Sequence, residues 1–158
     1  MPGKGGKPDK ESRYHKGIFK PSFPKKYIGD VNRIIYRSSW ERKFMRYCDT
    51  NETIIKWSSE EIAIRYFNPV KKRVARYFPD FYIECIDKQN NKKKTLIEIK
   101  PFKETKPPKP GRRTKNQLIR EALFVQNKAK WRAAEEFCLD NGWEWQVITE
   151  KELGIYNA

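Results

Sequence analysis

Three observations place this 158-residue chain in the α/β class, as a mixed sheet with an antiparallel hairpin flanked by helices. The first is a pair of runs, Tyr77-Phe78-Pro79-Asp80-Phe81-Tyr82-Ile83 and Thr95-Leu96-Ile97-Glu98-Ile99-Lys100, both rich in aromatic and β-branched residues. Such residues suit a pleated, half-buried surface. The polar stretch Asp87-Lys88-Gln89-Asn90-Asn91-Lys92 separates them, which predicts a β-hairpin. The second is apolar residues at helical spacing on either side: Trp40, Phe44, Met45 and Cys48 before the hairpin, and Ala129, Ala133 and Phe137 after it. The third is the order of elements. Helix, antiparallel strands, helix, strand allows helices to cover both faces of the sheet in a three-layer domain.

Composition narrows the partners. Hydrophobic residues make up 37% and aromatics 14%, enough for one core. The formal charge of +15 points to a polyanion, with nucleic acid first. No apolar run approaches the ~20 residues of a spanning helix, so no membrane partner is expected. The N-terminus lacks the apolar centre of a signal peptide, and nothing suggests export. Cys48, Cys85 and Cys138 are odd in number and widely spaced. They fit neither a zinc pattern nor a disulfide framework and are expected to be reduced core thiols in a cytoplasmic setting. His15 is the single histidine, which excludes a His-based nucleophile triad or a multi-histidine metal site. It is expected at the surface.

Taken in order, residues 1–30 read as a basic flexible arm and 31–158 as the folded domain. The arm carries eight Lys/Arg against two acids up to Lys26, with four prolines and no periodicity. It can lie along DNA phosphates or serve as a solubilising tail. Ser38 and Glu41 fit a capping box at the start of the first helix, and Asp49-Thr50-Asn51 ends it. Thr53 to Trp57 reads as a strand and Ser58-Ser59-Glu60 as a turn. A further strand with Ile62, Ile64 and Tyr66 and a turn at 68–73 lead to the strand carrying Asp80. These strands are expected to follow one another in a meander.

After Lys100, Pro101-Phe102 breaks the strand. Lys103 to Lys115 holds six basic residues and one acid among three prolines, a loop of the length that is functional or disordered. Its Arg112, Arg113 and Lys115 are candidate DNA contacts. Asn116 to Val125 reads as a short helix, with a second starting or continuing near Gln126. Asn141-Gly142 is a helix stop. Trp143, Trp145 and Val147 alternate as a strand, and Thr149 with Glu152 forms a final capping box.

The hairpin carries the chemistry. Alternation puts Glu98 and Lys100 on one face and Ile97 and Ile99 on the other. A register that brings Asp80 to the face of Glu98 assembles two carboxylates and a lysine at one edge. Carboxylate oxygens are the hard ligands Mg²⁺ prefers. The metal lowers the pKa of bound water and neutralises phosphoryl charge, while a lysine orients the nucleophile or stabilises developing charge. An ordinary hairpin with a surface Glu–Lys pair is the other reading of these residues. Capping alone is likewise a complete account of Glu41.

Pro79-Asp80 followed by Glu98-Ile99-Lys100 resembles the PD-(D/E)xK signature of the restriction-endonuclease-like fold. Several runs are more narrowly similar to the head completion nuclease family of tailed, myovirus-type bacteriophages. They are Ser39-Trp40-Glu41, Trp57-Ser58-Ser59-Glu60, Tyr77-Phe78-Pro79-Asp80-Phe81, Ile97-Glu98-Ile99-Lys100-Pro101, Asn127-Lys128-Ala129-Lys130-Trp131 and Ile148-Thr149-Glu150, covering about residues 33 to 153. TnsA-like transposase nucleases share the skeleton.

The resemblance implies a restriction-endonuclease-like core and a Mg²⁺-dependent DNA endonuclease, with Mn²⁺ as a substitute ion. Asp80 and Glu98 would be metal ligands, Glu41 a further ligand, and Lys100 the residue that positions water. It also implies that a polar or basic residue among Gln126, Asn127, Lys128 and Lys130, near a helix start that favours phosphate, faces the site, with Lys128 and Lys130 as DNA contacts and plain surface charge as their other reading. The substrate would be packaged DNA ends at the portal, with phage portal or head proteins as partners. The location would be the host cytoplasm during assembly and then the virion. A DNA-binding structural head-completion protein and a junction or transposon-end nuclease are the alternatives. Oligomeric state is left open.

Overall fold

The computed structural model describes residues 16–154. At its centre is a four-stranded mixed sheet of β3 (Ile54–Ser59), β6 (Phe81–Ile86), β7 (Lys92–Ile99) and β8 (Glu144–Ile148), in the order β3-β6-β7-β8. The first two pairings are antiparallel. The last is parallel, and α2 (Lys115–Asn141) makes the crossover that a parallel pair requires.

The helices cover opposite faces. Phe44, Met45 and Cys48 of α1 (Ser39–Thr50) pack with Trp57, Phe81, Ile83, Ile97 and Ile99. Trp131, Ala134 and Cys138 of α2 pack with Tyr82 and Leu96. Thr95 through Ile99 are therefore buried without interruption, as expected of a strand covered on both faces.

The strands between α1 and this hairpin do not form the expected meander. β3 pairs directly with β6 and extends through Ser59, so Ser58 and Ser59, expected in a turn, continue the strand. The chain then leaves the sheet at Glu60, whose φ of 53° is left-handed. β4 (Ile64–Asn68) and β5 (Arg73–Tyr77) form a separate two-stranded ribbon. Their inward residues Ile64, Tyr66 and Tyr77 join the α2 cluster, and that packing holds the ribbon off the sheet.

α2 is one helix of 27 residues where two were read. Its sequence contains no Pro or Gly to interrupt it. The Thr114 side chain caps its start and Gly142, at φ 69°, ends it. Lys128 and Lys130 consequently lie in mid-helix, so the helix N-terminus contributes nothing to them. The Thr149–Glu152 capping box forms as read. At α1, Ser38 Oγ accepts from the Glu41 N–H at 3.1 Å. The Glu41 carboxylate, however, meets the Ser38 hydroxyl and not its backbone, so the box is only half made.

Of the stretch read as a basic arm, residues 1–15, with His15, lie outside the described residues. Residues 17 to 30 are packed on the domain. β1 (Gly17–Ile18) pairs with β2 (Ile35–Tyr36), and Phe19 and Tyr27 are buried against Trp57. The Asp49 carboxylate accepts from the N–H groups of Ser22 and Phe23 at 2.7 and 3.0 Å. Periodicity could not reveal this segment, because irregular backbone and two side-chain anchors hold it in place. Cys48, Cys85 and Cys138 are free thiols.

Candidate active site

The hairpin of β6 and β7 opens toward the point where the ribbon rejoins the sheet. Asp80 sits there, between the end of β5 and the start of β6, not within a strand. The pairing of Phe81 with Ile97 places it next to Glu98 in the ladder. Two backbone bonds fix it. Its carbonyl accepts from the Glu60 N–H at 3.1 Å, and its Oδ2 accepts from the Ile99 N–H at 2.7 Å. The second bond ties the carboxylate to the end of β7.

Glu98 is 7% exposed. The Tyr77 hydroxyl donates to its Oε2 at 2.6 Å, and the Lys100 ammonium stands 3.9 Å from its Oε1. Lys100 is half-buried, and its backbone N–H donates to Ile148 of β8 at 2.9 Å. From α2, the Lys130 ammonium lies 5.8 Å from the centre of the Tyr77 ring. Asp80, Glu98 and Lys100 thus meet at one edge, in the register that brings Asp80 beside Glu98.

A second set of acids converges on Asp80. One carboxylate oxygen each of Glu41, Glu60 and Asp80 lie within 4.8 Å of one another. Glu41 comes from the first turn of α1, and Glu60 from the left-handed residue that ends β3. Arg37 Nη1 holds both Glu60 oxygens at 3.1 Å. Glu98 is not part of this trio; its oxygens face Tyr77 and Lys100. Asp80 is the residue that both groups share.

The electrostatics are those of crowded anions. Burial pushes the Asp80 carboxyl well above the ordinary range, and the Glu98 charge adds to it, against the Ile99 hydrogen bond. Burial also raises Glu98, opposed by the Tyr77 hydrogen bond and Lys100. Glu41 is raised by burial, opposed by Ser38 and reinforced by Glu60. Lys130 is lowered by burial and by the neighbouring Lys100 charge. Desolvated, mutually repelling carboxylates favour the charged state only when a cation joins them. The donor set is oxygen alone, without His or Cys, and it fits a hard divalent ion of the Mg²⁺ or Mn²⁺ kind.

The remaining expected DNA contacts are spread out. Arg112 and Arg113 are exposed on the irregular stretch before α2, and Lys115 is the first residue of that helix. Gln117, itself buried, anchors the stretch by donating to the Lys109 carbonyl at 2.9 Å. Lys128 is exposed on α2. Of these basic residues it is Lys130 that feels the Glu98 charge. Sequence reasoning missed Glu60 and Tyr77 as site residues. Both lie inside runs that carry the resemblance, Trp57-Ser58-Ser59-Glu60 and Tyr77-Phe78-Pro79-Asp80, and that is the one signal that could have found them.

Comparison with known proteins gives two matches. Residues 51–150 match the family described as TnsA-like endonuclease N terminal. That stretch holds Glu60, Asp80, Glu98, Lys100 and all of α2. The Head completion nuclease of Enterobacteria phage T4 is 36% identical over 144 residues, 88% of this chain and 93% of that protein. This second match reaches across most of the fold, and the sheet order and helical layers are those of a restriction-endonuclease-like core. On both grounds the chain belongs to the TnsA-like endonuclease family, with the phage T4 head completion nuclease among its relatives.

Proposed function

We propose that this chain is a divalent-metal-dependent DNA endonuclease, with Mg²⁺ its ion and Mn²⁺ a substitute, acting on packaged DNA ends at the portal during phage head completion. The observation that carries the reading is the position of Asp80, shared between Glu98 and Lys100 on one side and Glu41 and Glu60 on the other. Asp80, Glu98 and Glu41 would hold the ion, and Glu60 is added to that set by its convergence with Asp80. When bound, a divalent cation supplies a lowered water pKa and charge neutralisation at the phosphoryl group.

The protein's own residues do the rest. The Ile99 N–H and the Tyr77 hydroxyl fix the orientation of Asp80 and Glu98. The Lys100 ammonium orients the attacking water and balances negative charge that develops on the phosphate oxygens. Lys130 adds positive charge from α2 beside Tyr77. Arg112, Arg113, Lys115 and Lys128 are exposed and suited to phosphate contacts, which position a duplex without reading its sequence. A structural DNA-binding protein without catalysis has no use for buried carboxylates turned toward phosphate, and this favours the enzyme over the scaffold.

The test is cleavage of plasmid, branched and end-containing linear DNA with Mg²⁺ and with EDTA. Cutting that needs the metal and is lost in Asp80→Ala supports the reading. Cutting that persists in EDTA or in Asp80→Ala excludes it. Preference for ends over branches separates a head completion role from a junction nuclease.

A further inference from the structure

The β4–β5 ribbon has two unlike faces. The inner one, with Ile64, Tyr66 and Tyr77, is buried against Trp131, Ala134 and Cys138. The outer one is formed by Arg65 and Phe67 of β4 and Val74 and Arg76 of β5. In the register, Arg65 stands directly opposite Arg76, and Phe67 opposite Val74. Phe67 is 58% and Val74 57% exposed. Like charges directly opposite one another destabilise a strand pair. An exposed aromatic beside them gains little from the fold, so folding of the ribbon alone does not account for this face.

Charge and placement identify what does. From Ile64 to Tyr77 the ribbon carries Arg65, Lys71, Lys72, Arg73 and Arg76 and no acidic residue. The Arg76 guanidinium lies 5.6 Å from the centre of the exposed Phe78 ring. Lys71 is near enough to the site for its charge to act on Lys130. Both feet of the ribbon end at the acids: Glu60 precedes β4 and Asp80 follows β5. A two-stranded ribbon fits the major groove of duplex DNA, roughly 12 Å wide. Five residues at about 3.3 Å each give a strand long enough to cross it.

The geometry points to the outer face of the β4–β5 ribbon as the element that seats on duplex DNA beside the phosphodiester to be cut. Arg65 and Arg76 meet phosphates, and the Phe67–Val74 pair meets apolar sugar and thymine-methyl surface in the groove. This rests on the nuclease reading for the identity of the polymer, and it adds a DNA-holding surface separate from the basic residues already named on α2 and the stretch before it.

The test is equilibrium binding of the full chain to a labelled 30-base-pair duplex in EDTA, followed by fluorescence anisotropy across a range of salt. Each phosphate contact contributes about 0.9 to the slope of log K against log salt. Arg65→Ala with Arg76→Ala is expected to weaken binding and flatten that slope by about 1.8 units. Arg65→Lys with Arg76→Lys should keep the slope. The alanine pair separates two opposed like charges and should melt no lower than the wild type, so its weaker binding is not unfolding. Val74→Glu reverses the field at the centre of the same face and should weaken binding independently. Unchanged affinity and slope in these variants overturns the inference, and if wild type cuts DNA while Asp80→Ala does not, the nuclease reading survives that failure. Unchanged DNA binding with a shift to smaller species in sedimentation assigns the face to a second copy and also overturns it. A wild type that neither binds nor cuts overturns both.

Discussion

Two hairpins follow one another in this chain, and they live in opposite surroundings. β6–β7 lies inside the sheet, with α1 over one face and α2 over the other, so Phe81, Ile83 and Ile97 enter one cluster while Tyr82 and Leu96 enter the second. β4–β5 has α2 on its inner face and solvent on its outer face, where Phe67 and Val74 are exposed beside arginines. Their sequences differ accordingly. β7 is buried from Thr95 to Ile99 without a break, whereas β4 alternates buried and exposed residues along its length. The acids lie at the seam between the two. The doubly covered hairpin supplies the desolvation that raises Asp80 and Glu98. The half-covered ribbon joins that seam at Tyr77, which ends β5 and donates to Glu98.

The comparison can be broken most severely at the seam. Asp80→Ala and Glu98→Ala are expected to lower cleavage by at least about 10²-fold, the scale of losing one group that stabilises developing charge. Substitutions of exposed ribbon residues should leave metal binding intact. A time course of plasmid nicking in Mg²⁺, beside calorimetric titration with Mn²⁺, makes the contrast.

Stability should divide along the same line. Leu96→Ala in the doubly covered hairpin is expected to cost about 2–5 kcal/mol. Val74→Ala on the ribbon's open face should stay within about 0.5 kcal/mol. Urea unfolding of the metal-free protein measures both, and equal losses would deny that the two hairpins differ in burial.

Tyr77 bridges the regions, because it ends β5 yet donates to Glu98 at 2.6 Å. Tyr77→Phe keeps the ring and removes that bond. It is expected to reduce metal affinity or activity by about 10–100-fold, as for other groups that orient a ligand. Its melting temperature should shift far less than that of Leu96→Ala.

The smallest effect sharpens the electrostatic side. Asp80, Glu98 and Glu41 are all raised in the folded protein, chiefly by burial. The native state therefore holds these protons more tightly than the unfolded chain. Their contribution to stability is fully present below the unfolded carboxyl pKa of about 4 and is lost as pH rises through the raised folded values. Asp80→Asn removes that loss at Asp80, so the metal-free variant should melt above wild type at neutral pH, the gap closing toward about pH 4. Metal affinity runs the other way, since binding needs the deprotonated ligands, and should fall as pH drops through the same window. Melting curves without metal and titrations with it, over matched pH, check both signs.

Much of this was legible in residue order. The apolar spacing of Phe44, Met45 and Cys48 marked α1, and the flanks of the polar turn at 87–92 marked β6–β7. Thr149 and Glu152 marked the last helix. Alternation put Glu98 and Lys100 on one face, and one hairpin register brought Asp80 to them. Other features depended on distant partners. Ser58 and Ser59 look like turn residues, yet they pair with Tyr82 and Phe81. Ile64 and Tyr66 look like the next strand of a meander, yet α2 draws them off the sheet. Ser22 and Phe23 carry no pattern and are held by Asp49, more than twenty residues away.

The sequence by itself determined the chemistry available: carboxylates and a lysine on one strand edge, a single histidine, and a large positive charge for a polyanion. It also determined the doubly buried hairpin, because neighbouring residues set strand alternation and turn chemistry. Only the tertiary structure decided which acids meet. Glu41 from a helix, Glu60 from a left-handed strand end and Asp80 from a strand junction come within 4.8 Å because α1 packs on the sheet and β3 pairs with β6. Periodicity records the face each residue takes on its own element. The meeting of three elements is fixed by packing and strand order, which no local pattern contains.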